Sequence, residues 1–239
     1  MESFFGEIEG AGFEILEKEF NSCLTGHGRV ERLWTGARWV EGPVWFPAGR
    51  FLLFSDIPNN RMLRWDETNG GVSEFRNPSN FSNGNTRDLQ GRLITCNHLS
   101  RSVTRTEHSG EVTTLASHFD SKRLNSPNDI VVKSDGSIWF TDPDYGIMSD
   151  YEGCKSPSEQ SSCNVFRIDQ KTGNVDLITD RLIKPNGLCF NKSESKLYVS
   201  DTGGSHVEGG PRNIYSFDLM GETVASASPE FFAQCQNGL

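Results

Sequence analysis

The sequence predicts an all-β fold, and within that class a β-propeller. A two-part strand unit recurs along the chain. Its equivalent positions fall at nearly even steps, and oxygen-bearing residues stand in one phase of the unit. Four short strands repeated every ~43 residues are the sequence sign of a propeller blade. A β-sandwich also uses short antiparallel strands, but it does not repeat a four-strand unit.

The first half of the unit is an apolar strand, a tight turn and a second strand closing on Ser/Thr-Asp. It reads EGPVWFPAGRFLLFSD from Glu41 to Asp56, PNDIVVKSDGSIWFTD from Pro127 to Asp142, and PNGLCFNKSESKLYVSD from Pro185 to Asp201. NTRDLQGRLITCNH, from Asn85 to His98, is a weaker copy. Aromatic and β-branched residues at Ile138-Trp139-Phe140 and Leu197-Tyr198-Val199 mark strands. The second half is strand, acidic residue, Gly-containing turn, strand. Its copies are RMLRWDETNGGVSEF (Arg61 to Phe75), SVTRTEHSGEVTTL (Ser102 to Leu115), NVFRIDQKTGNVDLI (Asn164 to Ile178) and NIYSFDLMGETVASA (Asn213 to Ala227). With the copies aligned, Glu41, Asn85, Asn128 and Asn186 are equivalent, at steps of 44, 43 and 58 residues. The long step holds a polar insertion from about Met148 to Ser162.

Residues 1–30 lack the unit and read as an N-terminal extension. Within and just after it, Ile15-Leu16 and Val30 to Trp34 are expected to supply strands that close the ring against the last unit. Residues 31–239 form the propeller domain, which at ~43 residues per blade holds about four and a half blades. The sequence reaches Gln236-Asn237-Gly238-Leu239 where a further inner strand would begin. The expectation is therefore an incomplete, C-terminally truncated propeller.

Composition narrows the function. There are 23 Lys and Arg against 32 Asp and Glu, a net charge of −9. That charge gives no basic footprint for nucleic acid or an anionic membrane. No apolar run approaches the roughly 20 residues of a spanning helix. The start, MESFFGEIEG, has neither the basic nor the apolar region of a secretory signal, so a cytoplasmic location is expected. The six cysteines show no CxxC pair. Cys154 and Cys163 flank a polar stretch with the spacing of a loop-closing disulfide, which a reducing cytosol disfavours. Nucleophile-elbow, dinucleotide, phosphate-loop and HExxH motifs are absent.

The polar repeat carries the chemistry. Glu41, Asn128 and Asn186 each stand just before an apolar inner strand, with Asn85 in the same phase of the weak copy. Blade packing would gather them at one mouth of the central channel. A carboxylate with amide oxygens, without thiol or paired His, is a hard-cation set suited to Ca²⁺, with Mg²⁺ or Mn²⁺ as alternatives. Pro-Asn-Asp and Pro-Asn-Gly are also turn signals in their own right. Three in-phase oxygen donors favour the site over three coincident turns. Asp56, Asp142 and Asp201 end second strands and are expected to border the same mouth. Asp56 reads as a turn cap. Asp142 and Asp201 stay open between a cap and a partner of the site, and His98 between a mouth-facing and a structural role.

The runs ARWVEGPVWFPAGRFLLFSDI, NGNTRDLQGRLITC, RLNSPNDIVVKSDGSIWFTDPDYGI and KPNGLCFN…LYVSDT resemble the regucalcin/gluconolactonase family, most closely its microbial gluconolactonase-type members. The resemblance implies a six-bladed β-propeller with one divalent cation in the channel, Ca²⁺ first, with Zn²⁺, Mg²⁺ or Mn²⁺ as alternatives. It implies hydrolysis of a sugar lactone or related lactone, with a small-molecule partner. Glu41 and Asn186 match the family's metal-binding positions. Asn128 matches a position that contacts substrate or metal. A further family Asp, its acid/base, belongs to a motif beyond Leu239. An arginine that animal members carry two residues before the substrate asparagine is replaced here by Ser126. Within this chain Asp201 is the candidate base, and Asp142 and Tyr145 of the TDPDYG loop are candidate substrate-binding residues.

The implied mechanism is metal-assisted ester hydrolysis, with a carboxylate taking a proton from the attacking water. Two other readings share the scaffold. One is a paraoxonase-like aryl ester or phosphotriester hydrolase, and the other a non-catalytic propeller that only binds.

Overall fold

The computed structural model describes residues 6–9, 11–26, 28–221, 223–224 and 228–235. Among them the fold is all-β, with short antiparallel sheets following one another along the chain. The first sheet runs Val40–Phe46, Phe51–Asp56, Arg61–Asp66 and Val72–Arg76, each strand paired with the next. The second runs Ser82–Arg87, Leu93–Asn97, Ser102–Thr106 and Val112–Ala116. The third runs Ile130–Val132, Ile138–Asp142, Asn164–Ile168 and Val175–Thr179. The fourth begins Pro185–Phe190, Lys196–Asp201 and Asn213–Met220, and Glu230–Gln234 pairs with the last of these. The inner strands, the first of each sheet, neighbour one another in succession. This is the arrangement of propeller blades.

Packing explains the sequence pattern. Phe140, Phe166 and Ile168 of the third sheet bury against Ile94, Cys96 and Val103 of the second. Their chain neighbours Trp139 and Val165 bury on the other side with Leu188, Leu197 and Val199 of the fourth. A strand sends successive side chains to opposite faces. A sheet covered on both faces therefore reads as a continuous apolar run, as Ile138-Trp139-Phe140 does. The end sheets differ. On the fourth, Met220, Phe231 and Phe232 are 68, 63 and 58% exposed. On the first, Trp45, Leu52 and Trp65 face away from the second-sheet core, whose first-sheet members are Val44, Leu53 and Met62.

The N-terminal residues depart from expectation. Ile15-Leu16 form no strand, and Lys18–Cys23 make a turn of 3₁₀ helix. Glu31–Arg32 pair with Gly6–Glu7 and not with the fourth sheet. The extension supplies its own partner strand, so no pairing with the last sheet is needed to satisfy its backbone. Cys154 and Cys163 are both free thiols. Burial beside Asp144 pushes the Cys163 thiol up to about 12, so it stays protonated and unreactive. His27 and residues 236–239 lie outside the described residues. No helix among the described residues is long and apolar enough to cross a membrane.

Candidate active site

Register defines the site. Val40 pairs with Asp56, Ser82 with Asn97 and Pro185 with Asp201. In the third sheet Asn128 N–H donates to Thr141 O, one residue before Asp142. The positions that follow these pairs are Glu41, Asn83, Asn128 and Asn186. On all three paired inner strands the register then shifts by a bulge, which re-aims side chains near a functional mouth. The equivalent residue in the second sheet is thus Asn83, not Asn85. Asn85 is buried in the sheet. Its Nδ2 donates to Gly42 O, Ser55 Oγ and Asn83 O, and its Oδ1 accepts from Thr95 Oγ1.

The inner strands touch backbone to backbone. Gly84 N–H donates to Asn128 O at 2.7 Å, and a Cβ on Gly84 would lie 2.4 Å from that oxygen. A Cβ on Gly42, whose φ is +56°, would lie 2.1 Å from Asn83 O. A side chain here would drive the strands apart, so glycine follows the site residue in both places.

Glu41, Asn83, Asn128 and Asn186 line one cavity of about 570 Å³. Trp39, Tyr145, Tyr151 and His206 supply aromatic wall, and Glu152, Ser200, Thr202 and Ser205 add polar groups. No Lys or Arg lines it. Asn186 Nδ2 donates to Thr202 Oγ1, and Asn83 Nδ2 sits 3.1 Å from His98 Nε2. With their nitrogens engaged, both amides have their oxygens left over. Asn128 is 5% exposed and lines the cavity, and no described residue hydrogen-bonds its side-chain amide. An amide that opens onto the cavity without a protein partner is free to bond a ligand or water. Among the described residues Glu41 accepts from Trp39 Nε1 alone, at 3.3 Å. One carboxylate and three amide oxygens on a cavity free of cationic side chains fit a hard divalent cation. No cluster of three or more His, Cys, Asp or Glu among the described residues is arranged to hold a metal. The fit therefore rests on the amides.

The site is electronegative. Burial raises the Glu152 pKa, and the Glu41 charge adds to the rise. Burial also lifts Asp129 to about 6, though its carboxylate accepts from Leu188 N–H and braces the third inner strand against the fourth. Tyr145 is held by its hydroxyl to Thr202 Oγ1 at 2.7 Å and by its ring against His206 at 5.2 Å.

The strand-end aspartates are elsewhere. Asp201 is 2% exposed, and its oxygens accept from the amides of Ile183, Lys184 and Gly203. Asp56 accepts from Arg38 N–H, Asn59 Nδ2 and Arg61 Nε. Asp142 accepts from Asn125 N–H, and its other oxygen has no partner. Each clamps the chain segment entering its sheet, and neither Asp142 nor Asp201 lines the cavity. Asp201, expected as base, and Asp142, expected as a substrate contact, thus stand outside the cavity lining in this structure. Asp201 is taken up by three backbone amides and Asp142 by one. Ser126 is likewise buried, donating to Pro143 O and accepting from Gly146 N–H.

Asp142 has a measurable consequence. Burial lifts its pKa to about 7. The folded state then binds a proton that the unfolded state releases near pH 4. Stability from this group is present at low pH and is lost as pH rises from about 4 through about 7. Urea midpoints of the wild type should fall across that window more than those of Asp142→Asn. Equal slopes would refute the assignment.

The model of the SMP-30/gluconolactonase/LRE-like region matches residues 39–239. The chain belongs to this family. A gluconolactonase from Zymomonas mobilis is 34% identical over 187 residues, covering 72% of this chain and 51% of the relative. The chain thus spans about half the length of that protein. A lactonohydrolase from Aspergillus oryzae is 32% identical over 48% of this chain and 27% of its own. The solved structure of a Xanthomonas campestris gluconolactonase superposes with a TM-score of 0.88 at 34% identity, over 99% of this chain and 76% of that one. Agrobacterium tumefaciens regucalcin, at 15% identity and a TM-score of 0.63 over 83% of this chain and 60% of that one, shares the fold.

Of the cavity residues that escape sequence reasoning, Asn83 and Glu152 bear most on the chemistry. Asn83 had a usable signal: Asn83-Gly84 repeats the polar-Gly pair of Glu41-Gly42 and Asn186-Gly187. Glu152 had none, because the insertion that carries it has no periodicity.

Proposed function

We propose that the chain hydrolyses a sugar lactone or a related lactone, using a divalent cation, Ca²⁺ first, held by Glu41, Asn128 and Asn186. Asn83 is a fourth oxygen donor. What carries the reading is that four in-phase, oxygen-bearing residues of four sheets line one cavity whose described lining holds no Lys or Arg. A bound cation would supply a Lewis acid for the lactone carbonyl. The chain's own groups do the rest. Trp39, Tyr145 and Tyr151 offer flat apolar surface to the ring, and Thr202, Ser205 and Glu152 bond its hydroxyls. Glu152 is the cavity carboxylate left to take the proton of the attacking water, in place of Asp201. Water adds to the carbonyl carbon, the ring C–O bond breaks, and Glu152 returns the proton to the ring oxygen, which leaves as a hydroxyl. An acidic wall suits a neutral lactone better than an anionic substrate.

We also read the sheets as consecutive blades of a six-bladed ring. The apolar outer faces of the first and fourth sheets support this, as does the 76% share of the Xanthomonas structure that the chain covers.

The test is acid release from glucono-δ-lactone in a pH-stat. Turnover should vanish with chelator and return with Ca²⁺. Absence of turnover with any divalent ion would leave a binding scaffold. Faster hydrolysis of a paraoxon-type ester than of lactone would favour the phosphotriesterase reading.

A further inference from the structure

His98 is fully buried behind the cavity wall, and both of its ring nitrogens are engaged. Nδ1 lies 2.8 Å from the carbonyl oxygen of Glu152, and Nε2 lies 3.1 Å from Nδ2 of Asn83. A carbonyl oxygen can only accept, so Nδ1 carries the proton. The ring is fully buried with no carboxylate among the described residues within hydrogen-bond reach to hold a second proton, so it is neutral and Nε2 is an acceptor. The Glu152 carboxylate, 3.9 Å from Nδ1, is too far to hydrogen-bond it. An acceptor at Nε2 dictates the Asn83 amide: its NH₂ faces the imidazole and its oxygen is released to the cavity. The same ring fastens the insertion that brings Tyr151 and Glu152 to the cavity. Gly146 makes room for it closely, since a Cβ there would meet the His98 Cβ and Cγ at 2.5 Å.

We propose that His98 is a positioning residue: one imidazole orients the Asn83 oxygen toward the bound cation and pins the 149–162 segment over the same cavity. It touches neither substrate nor cation. The inference rests on the reading of this cavity as a cation and lactone site, but its two arms are separable.

Two substitutions split them. His98→Gln places an acceptor near the Nε2 position and keeps the Asn83 arm. His98→Asn places an N–H near the Nδ1 position and keeps the Glu152 arm. Calorimetric Ca²⁺ binding reads the first arm, and amide hydrogen exchange across 149–162 reads the second. His98→Asn should weaken Ca²⁺ by about 10-fold or more, the usual cost of losing a group that orients a ligand. It should leave exchange in the segment near wild type. His98→Gln should hold Ca²⁺ affinity within about 3-fold and speed exchange across the segment. A merely structural histidine would give no such crossed pattern. The proposal is overturned if both variants change both readouts alike, or if neither changes. If wild type binds no Ca²⁺, exchange decides alone: equal protection in the two variants overturns it, and loss in His98→Gln only upholds it. Wild type that binds Ca²⁺ without hydrolysing lactone sinks the lactonase reading and leaves this one standing.

Discussion

Glu41→Gln should abolish Ca²⁺-dependent lactone hydrolysis, lowering kcat/KM on the order of 10²-fold or more while leaving the fold intact. The reason is charge. Of the four in-phase donors, three are neutral amides and Glu41 alone is anionic. Four neutral oxygens bind a divalent cation far more weakly than a set containing a carboxylate. Glutamine keeps the volume, and its Oε1 still accepts from Trp39 Nε1. Stability should therefore stay within about 0.5 kcal/mol of wild type, as for a surface exchange. Calorimetry supplies a second readout, since Ca²⁺ binding and turnover should be lost together. A third follows from electrostatics. The Glu41 charge helps to raise the Glu152 pKa, so that pKa should fall in the variant. Full Ca²⁺ affinity in a folded Glu41→Gln protein would remove Glu41 from the cation site.

What was legible in the sequence was what repeats. Strand alternation, turn glycines and Ser/Thr-Asp strand ends located the sheets, because each blade solves the same packing problem. Glu41, Asn128 and Asn186 came together at one cavity for the same reason. The errors arose where repetition stopped being informative. Asn83 and Asn85 differ by two residues and so point to the same face of a strand. Only the bulge between Ser82 and Asn85 separates them, and a bulge leaves no periodic mark. Asp201 and Asp142 repeat as well as the site residues do. They repeat because each sheet needs its entering backbone clamped, so periodicity alone did not distinguish a clamp from a ligand. Glu152 and the His98 bridge depend on an insertion folding back across the mouth. That is a tertiary event between segments 54 residues apart.

Gly84→Ala should be among the most damaging single substitutions in the chain, although it adds one methyl group. Gly84 does not need glycine for its backbone angles, since its φ is not in the left-handed region. It needs glycine for space. The added Cβ would meet Asn128 O at 2.4 Å and Asp129 Cα at 2.7 Å, both backbone atoms of the next inner strand. Flexible side chains can give way to a methyl, but paired backbone cannot. The strands must separate, stretching the Gly84 N–H bond to Asn128 O and moving Asn128 off the cavity. A loss of about 3 kcal/mol or more is expected in urea unfolding. In the protein that remains folded, Ca²⁺ affinity should drop with it. Gly187→Ala is the matched control, because it fills the same place in the repeat of the fourth sheet. There the new Cβ would lie 3.4 Å from Ser200 Oγ and 3.7 Å from Asp129 Oδ2, ordinary contacts with side chains. Its cost should stay below about 1 kcal/mol. If the two alanines destabilise the protein equally, close approach of the inner strands is not what selects glycine beside the site residues. The site geometry would then have to be set by something other than backbone packing around the axis.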